Sequence, residues 1–486
     1  MDEMWRTLPG ISPLILCLPA AKISTAGTPK KAIITCSLLE EEWARFEHHA
    51  RRVEALVLHG SDWLPMEAAE LASLDIIRNY YLGPVLPRLR SLTVDSIQHL
   101  PRHVEMFMGQ SLVGFDLRAS QPPPVLIALL DSCRSRSPHV SHIGFAHPRQ
   151  DVHGDMEWHS AFTRAVCAFE HLKSIGGTYW SYHTLPAEVI VHLSHSPTYE
   201  NLSLTIKESN VAICRSTSLG SFASLTVLRL HLAEATIPSD WKHLFQSLRC
   251  AGLQDLSLSI VYQPPADEPT ASSELIPWLE TLGRFHDLRS CWLMFESVDR
   301  PSGIWSDCLD PSILRPLYHA PGMRQLSLSR LPIKLTSPAC QELAGAWPHL
   351  SALSLRCALD VPPVDRLPLE DLAHLACRCP QLEHVEVSVA PITADWAWQE
   401  LGHDIPPSKM RRLSFCTDFH LALPAHTAPK VAAFFDTYFP RVGVQYEWGN
   451  IDAVLDGEDR QQRREAFALV LQSRSKPWES EEDELI

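Results

Sequence analysis

The sequence predicts an α/β chain: an irregular leucine-rich-repeat solenoid with a curved parallel sheet on its concave side and helices on its convex side. Two observations carry that expectation. A short apolar phrase recurs along the chain, and a segment with helical periodicity stands in front of most of its occurrences. The clearest copy is Pro348 to Leu355, where Leu350, Leu353 and Leu355 form L-x-x-L-x-L. Met323, Leu326 and Leu328 repeat it upstream, and Leu382, Val385 and Val387 repeat it downstream. Such a series describes coils that each present one strand and bury its apolar side chains against the coils above and below.

The first fifty residues do not carry the phrase and read as an N-terminal helical cap. Met1 to Leu8 reads as a short amphipathic helix stopped by Pro9 and Gly10, and Ser24 to Thr28 reads as a loop. In Leu38 to Val53 a longer helix is expected, because Leu39, Trp43, Phe46 and Ala50 recur at three- and four-residue steps. From residue 51 to residue 427 the coils follow. Their opening apolar positions are Val53, Leu89, Leu112, Val140, Leu172, Tyr199, Leu225, Leu253, Leu288, Met323, Leu350, Leu382 and Met410, about thirteen coils at intervals of 23 to 36 residues. The longer intervals leave room for a helix. Helical periodicity duly appears in Pro124 to Cys133, Glu157 to Phe169, Ser239 to Leu248, Ser273 to Leu282, Pro311 to His319, Pro338 to Trp347 and Pro368 to Cys379. Several of these open on Ser or Pro, or place an acidic residue in the first turn, as helix starts should. Residues 428 to 486 read as a C-terminal cap. Pro429 to Phe439 and Asp459 to Leu471 have helical periodicity, Arg441 to Trp448 alternates like an edge strand, and Glu479 to Glu484 is an acidic tail.

Composition narrows the function classes. The chain has 486 residues, 45% apolar and 20% charged, which is ample material for a core. Its 42 basic and 57 acidic residues give a formal net charge of -15, which argues against a general nucleic-acid binder, since phosphate neutralisation needs clustered Lys and Arg. The thirteen cysteines are scattered and many lie in apolar contexts, the usage expected of buried free thiols in a reducing compartment, so an intracellular, cytoplasmic or nuclear protein is expected. Ile11 to Ala21 is apolar, but acidic residues precede it and Pro13 and Pro19 interrupt it, unlike a signal peptide. With no run near the roughly 18 apolar residues of a span, no membrane partner is expected.

Chemistry-bearing patterns are few. His139 and His142 stand three apart, as do His192 and His195, yet neither pair sits in H-E-x-x-H or comes with a third ligand. Cys377 and Cys379 form a C-x-C without a second pair at zinc spacing. Gly176 and Gly177 are isolated, and no phosphate loop or G-x-S-x-G elbow occurs. Nothing places a base beside Ser218 or Ser221, and the paired carboxylates Glu41-Glu42 and Glu370-Asp371 fall in expected helices as solvated or first-turn residues. No catalytic residue, metal or cofactor is expected.

A binding surface is the better expectation. Residues between the apolar positions of each phrase face away from the core, because successive strand side chains point to opposite faces. On that face the sequence places Asp116, His142, Arg229, Asp255, Trp292, Gln325, His384, Glu386 and Arg412 as candidate partner-binding residues. Among them stand the small residues Ser91, Ser203, Ser257, Ser327, Ser354 and Ser414, which leave a shallow floor. Trp and Arg are the types enriched at interaction hot spots, so a protein substrate or ligand is the expected partner.

The chain also resembles a known family. Met1 to Leu18, Glu42 to Val53 and the irregular coils resemble the F-box and leucine-rich-repeat proteins abundant in mushroom-forming fungi, over nearly the whole length. That resemblance implies a substrate-receptor-like component of a cullin-RING ubiquitin ligase, with the repeats holding the substrate and a Skp-family adaptor as candidate partner of the F-box. Asp2 to Leu8 resembles the exit of an F-box, whose opening would lie before Met1, so the resemblance implies an incomplete F-box in this sequence. A stand-alone interaction scaffold without adaptor binding is the alternative. The Asn or Cys usual at the ninth position of the phrase is replaced by Ala233, Val261, Leu331, Ala358 or Ala390, so no asparagine ladder is expected.

Overall fold

The computed structural model describes residues 3–26, 31–36, 38–58, 68–81, 83–94, 101–117, 123–145, 156–176, 187–207, 222–235, 245, 250–262, 276–297, 309–329, 331, 333–356, 367–390, 396, 408–415, 427–440 and 442–446. The chain divides into two compact units, one of Met1–His231 with Leu248–Cys250, the other of Leu232–Ser247 with Ala251–Ile486.

In the first unit the strands β1 (Thr7–Leu8), β4 (Ala55–Leu58), β5 (Ser91–Val94), β6 (Gly114–Leu117), β7 (His142–Phe145), β8 (Ser174–Gly176) and β9 (Asn201–Lys207) form a parallel sheet in that order. The strand β10 (Val227–Ala235) follows β9, and its first five residues belong to this unit. A separate antiparallel pair joins β2 (Ile23–Ala26) to β3 (Lys31–Ile34). In the second unit β11 (Asp255–Tyr262), β12 (Ser290–Ser297), β13 (Gln325–Ser329), β14 (Ala352–Arg356), β15 (His384–Val387), β16 (Arg412–Phe415) and β17 (Gly443–Tyr446) pair in order, all parallel. Each unit is thus α/β, a parallel sheet with helices in its crossovers.

The apolar phrase explains the pairing. All thirteen opening positions, from Val53 to Met410, are buried. Most close a tight turn: Leu89 N–H reaches the Leu86 carbonyl at 3.1 Å, Leu288 that of Phe285 at 3.2 Å, Leu350 that of Trp347 at 3.1 Å and Leu382 that of Cys379 at 3.0 Å. Register then aligns like with like. Leu256, Cys291, Leu326, Leu353, Val385 and Leu413 form one buried row across six strands of the second unit. In the first unit Leu8, Leu56, Leu92, Phe115, Ile143, Ile175 and Leu202 form its counterpart. No strand could bury such a row alone; the stacking supplies the core.

A backbone device that the side chains do not announce fixes the register. The carbonyl just before each strand accepts two N–H groups from the next coil. Glu54 O takes those of Arg90 and Ser91, Arg289 O those of Arg324 and Gln325, Arg324 O those of Ser351 and Ala352, and Glu383 O those of Arg411 and Arg412, all at 2.7 to 3.0 Å. Both carbonyl lone pairs are used, and the entry point of each strand is pinned.

Helices occupy Glu40–Ala50, Pro123–Arg136, Met156–Cys167, Ile276–Leu282, Ser337–Ala346, Leu369–Arg378 and Ala428–Tyr438, within about three residues of the expected segments. Glu42 accepts the Leu39 N–H at 2.7 Å, and Thr336 caps its helix by accepting from Ala339 N at 3.4 Å. Ala68–Tyr80 and Ala187–His195 are further helices outside the expected set.

Three expectations are corrected. Met1 to Leu8 is not an amphipathic helix: a 3-10 turn at Glu3–Trp5 leads into β1, and the Arg6 carbonyl accepts Glu54 N at 2.9 Å and Ala55 N at 2.8 Å. Two turns before a proline are too short to repay helix nucleation, whereas pairing with β4 buries Leu8. Ser24 to Thr28 is not wholly a loop, since Ile23–Ala26 pairs with Lys31–Ile34, whose Ala32, Ile33 and Ile34 are buried. Pro311–His319 is a 3-10 helix; in an α-helix the ring of Pro316 would clash with the carbonyl four residues earlier. β17 lies where the alternation in Arg441 to Trp448 suggested a strand. The expected helix at Asp459 to Leu471, the acidic tail at Glu479 to Glu484 and all but Phe245 of Ser239 to Leu248 lie outside the described residues.

Candidate partner-binding surface

Opposite the buried rows, the sheet of the second unit carries two outward rows of side chains. Asp255, Ser290, Gln325, Ala352, His384 and Arg412 pair in one register. Two residues further along each strand, Ser257, Trp292, Ser327, Ser354, Glu386 and Ser414 form the second. Six of the nine expected residues are therefore gathered on one face. The longer strands β11 and β12, paired over eight residues, begin a third row with Ser259, Met294 and Ser329.

Trp292 dominates this face. It is 51% exposed while Cys291 and Leu293 on either side are buried, so the alternation of the strand turns the indole outward. Its Nε1–H donates to Ser290 Oγ at 3.0 Å, and Ser290 Oγ lies 3.5 Å from Gln325 Oε1. The ring is oriented from its own strand and the next, an arrangement that lowers the entropy lost on binding. Met294, 38% exposed, extends the apolar ridge. Strand spacing of about 4.8 Å sets Glu386 roughly 14 Å from this ridge. Between them lies a floor of Ser327, Ala352 and Ser354, where Ser354 Oγ donates to Glu386 at 2.7 Å. Against the sheet, partial burial pushes the His384 pKa below the usual imidazole value; Glu383 pulls it back up, and Arg412 and Arg411 add to the lowering. His384 is therefore a neutral donor and acceptor at pH 7.

The remaining three expected residues belong to the first unit. Asp116 on β6 pairs with Gly144 and His142 on β7 with Gly114, so they occupy adjacent outward rows rather than one. The Asp116 carboxylate lies over Gly144, where a β-carbon would collide with it. Arg229 is exposed on β10 between buried Leu228 and Leu230. His142 contacts Ser141 Oγ through Nδ1 at 2.8 Å. His195 spends Nδ1 on the Val191 carbonyl at 2.8 Å, and His139 stacks near His171. Among the described residues no three His, Cys, Asp or Glu side chains converge as a metal-binding set, and no helix is long and apolar enough to cross a membrane.

Met294 was missed from sequence although its parity with Trp292 was legible: residues two apart share a strand face, but the phrase was read as ending before it. Arg289 and Arg324, both exposed at the entry of their strands, were missed because they share the parity of the buried Cys291 and Leu326, which reads as inward-facing. No protein-family model matches the chain, and no curated protein matches it.

Proposed function

We propose that the chain is a non-catalytic protein-recognition module, an irregular leucine-rich-repeat solenoid, and that it serves as a substrate-receptor-like component of a cullin-RING ubiquitin ligase. The observation that carries the recognition reading is the exposed, hydrogen-bonded Trp292 beside Met294 on a face otherwise floored by serines. Adjacent large apolar side chains turned to solvent on one sheet face are enriched where a partner covers them. The scattered thiols, free at all nine described positions, favour an intracellular setting. The ligase link rests on the resemblance to F-box and leucine-rich-repeat proteins, and a stand-alone scaffold is the competing reading.

Two experiments separate these. A pull-down of the full chain with a purified Skp-family adaptor is expected to retain the adaptor; no retention would remove the ligase link and leave the scaffold. Proximity labelling in cells with wild type, Trp292→Ala and Arg229→Ala then addresses the recognition face. Partner sets that shrink in Trp292→Ala support the reading, and identical sets in both variants contradict it.

A further inference from the structure

The position just before each strand stacks one side chain per coil, because its carbonyl is locked to the next coil. In the first unit those side chains meet as opposite charges: Arg6 with Glu54 at 3.9 Å, and Lys173 with Glu200 at 2.7 Å. In the second unit Arg289 and Arg324 occupy successive positions of the same kind, and two cations stand side by side. Both are exposed, and among the described residues no carboxylate lies within ion-pair distance of either. Arg411 and Arg412 add further exposed cations at the entry of β16, offset by Glu383 one coil earlier. On a chain with net charge -15 the adjacent Arg289 and Arg324 are a local concentration of positive charge. It lies at the entry of the strand that carries Trp292 and Met294.

We infer that this face takes an extended acidic segment of a partner protein, with carboxylates on Arg289 and Arg324 and an apolar side chain against Trp292 and Met294. The inference rests on the recognition reading above and names the partner's chemistry. From Arg289 to Met294 the strand advances about 17 Å, the reach of five or six extended residues. Asp255 and Glu386 flank the ridge at the first and fifth strands of the second unit, which disfavours an acidic ligand lying across the sheet and favours one running along β12. A polyanion such as RNA would carry its charge past those carboxylates as well.

The test is panning of a random dodecapeptide display library on the full chain. Enriched peptides are then titrated against wild type, Trp292→Ala and the double variant Arg289→Glu/Arg324→Glu. Enrichment of Asp and Glu next to an aromatic or aliphatic residue is expected, with affinity lower by at least about tenfold in either variant. Lys-substituted copies should rescue binding to the double variant, a gain that misfolding could not produce. Peptides that depend on Trp292 but ignore the charge reversal, or that are enriched in Lys and Arg, would overturn the acidic assignment and leave protein recognition standing. Enriched peptides indifferent to Trp292→Ala would sink both readings. Single-stranded RNA that competes at this face with tighter binding than the peptides would overturn the choice of a protein partner.

Discussion

The two units use the same interior phrase and differ in what they put on the other side of it. In the first unit the outward residues Ser91, Gly114, Ser174, Gly144 and Gly176 are small and fall on strands of three or four residues, with Asp116 and His142 as larger side chains among them. In the second, strands of up to eight residues carry Trp292 and Met294 outward, and the strand entries bring Arg289 and Arg324 together. Interior leucines therefore determine that a coil forms, while strand length and outward residues determine what the coil offers. Energetically the two sets are nearly independent, because one is buried by stacking and the other faces solvent.

The largest effect expected from this contrast lies inside. Leu353→Ala and Leu355→Ala each remove a fully buried side chain from a row shared with both neighbouring strands, so each should destabilise the second unit by about 2–5 kcal/mol in denaturant unfolding. A smaller effect should single out one glycine of the first unit. At Gly144 a β-carbon would press on the Asp116 carboxylate and stand 3.1 Å from the Gly176 carbonyl, whereas at Gly114 its nearest neighbour is 3.8 Å away. Gly144→Ala should cost about 1–3 kcal/mol and Gly114→Ala much less; equal unfolding midpoints would break that distinction. Site-resolved alkylation of the native protein at neutral pH should modify exposed Cys36 well before Cys133, Cys291 and Cys340, whose thiol pKa values burial raises to about 12. The smallest effect concerns His384, whose lowered pKa should appear in NMR titration below the ordinary value of about 6.5. Because the folded state binds that proton less readily than the unfolded chain, the associated stability is present at neutral pH and declines as pH falls below the ordinary value.

Much of the fold was legible because burial and periodicity are local signals. The thirteen opening positions and most helices could be read from apolar spacing alone. What escaped was set by tertiary pairing. Thr7 and Leu8 are too few to announce a strand, and only the Arg6 carbonyl bonding to Glu54 and Ala55 makes them one. The shared face was legible in its parity, which puts Asp255, Trp292, Gln325, His384, Glu386 and Arg412 on one side of the second unit's sheet. Its extent was not, since the eight-residue length of β12 and the adjacency of Arg289 and Arg324 depend on how the coils stack.

The central claim, that Trp292 serves a partner and not the fold, is tested most directly by comparing Trp292→Ala with wild type in one titration, following partner affinity and the thermal midpoint together. The account predicts affinity reduced by at least about tenfold with a midpoint shifted no more than an exposed substitution allows, within about 0.5 kcal/mol of wild-type stability. Unchanged affinity, or a loss of stability on the scale of Leu355→Ala, would contradict it.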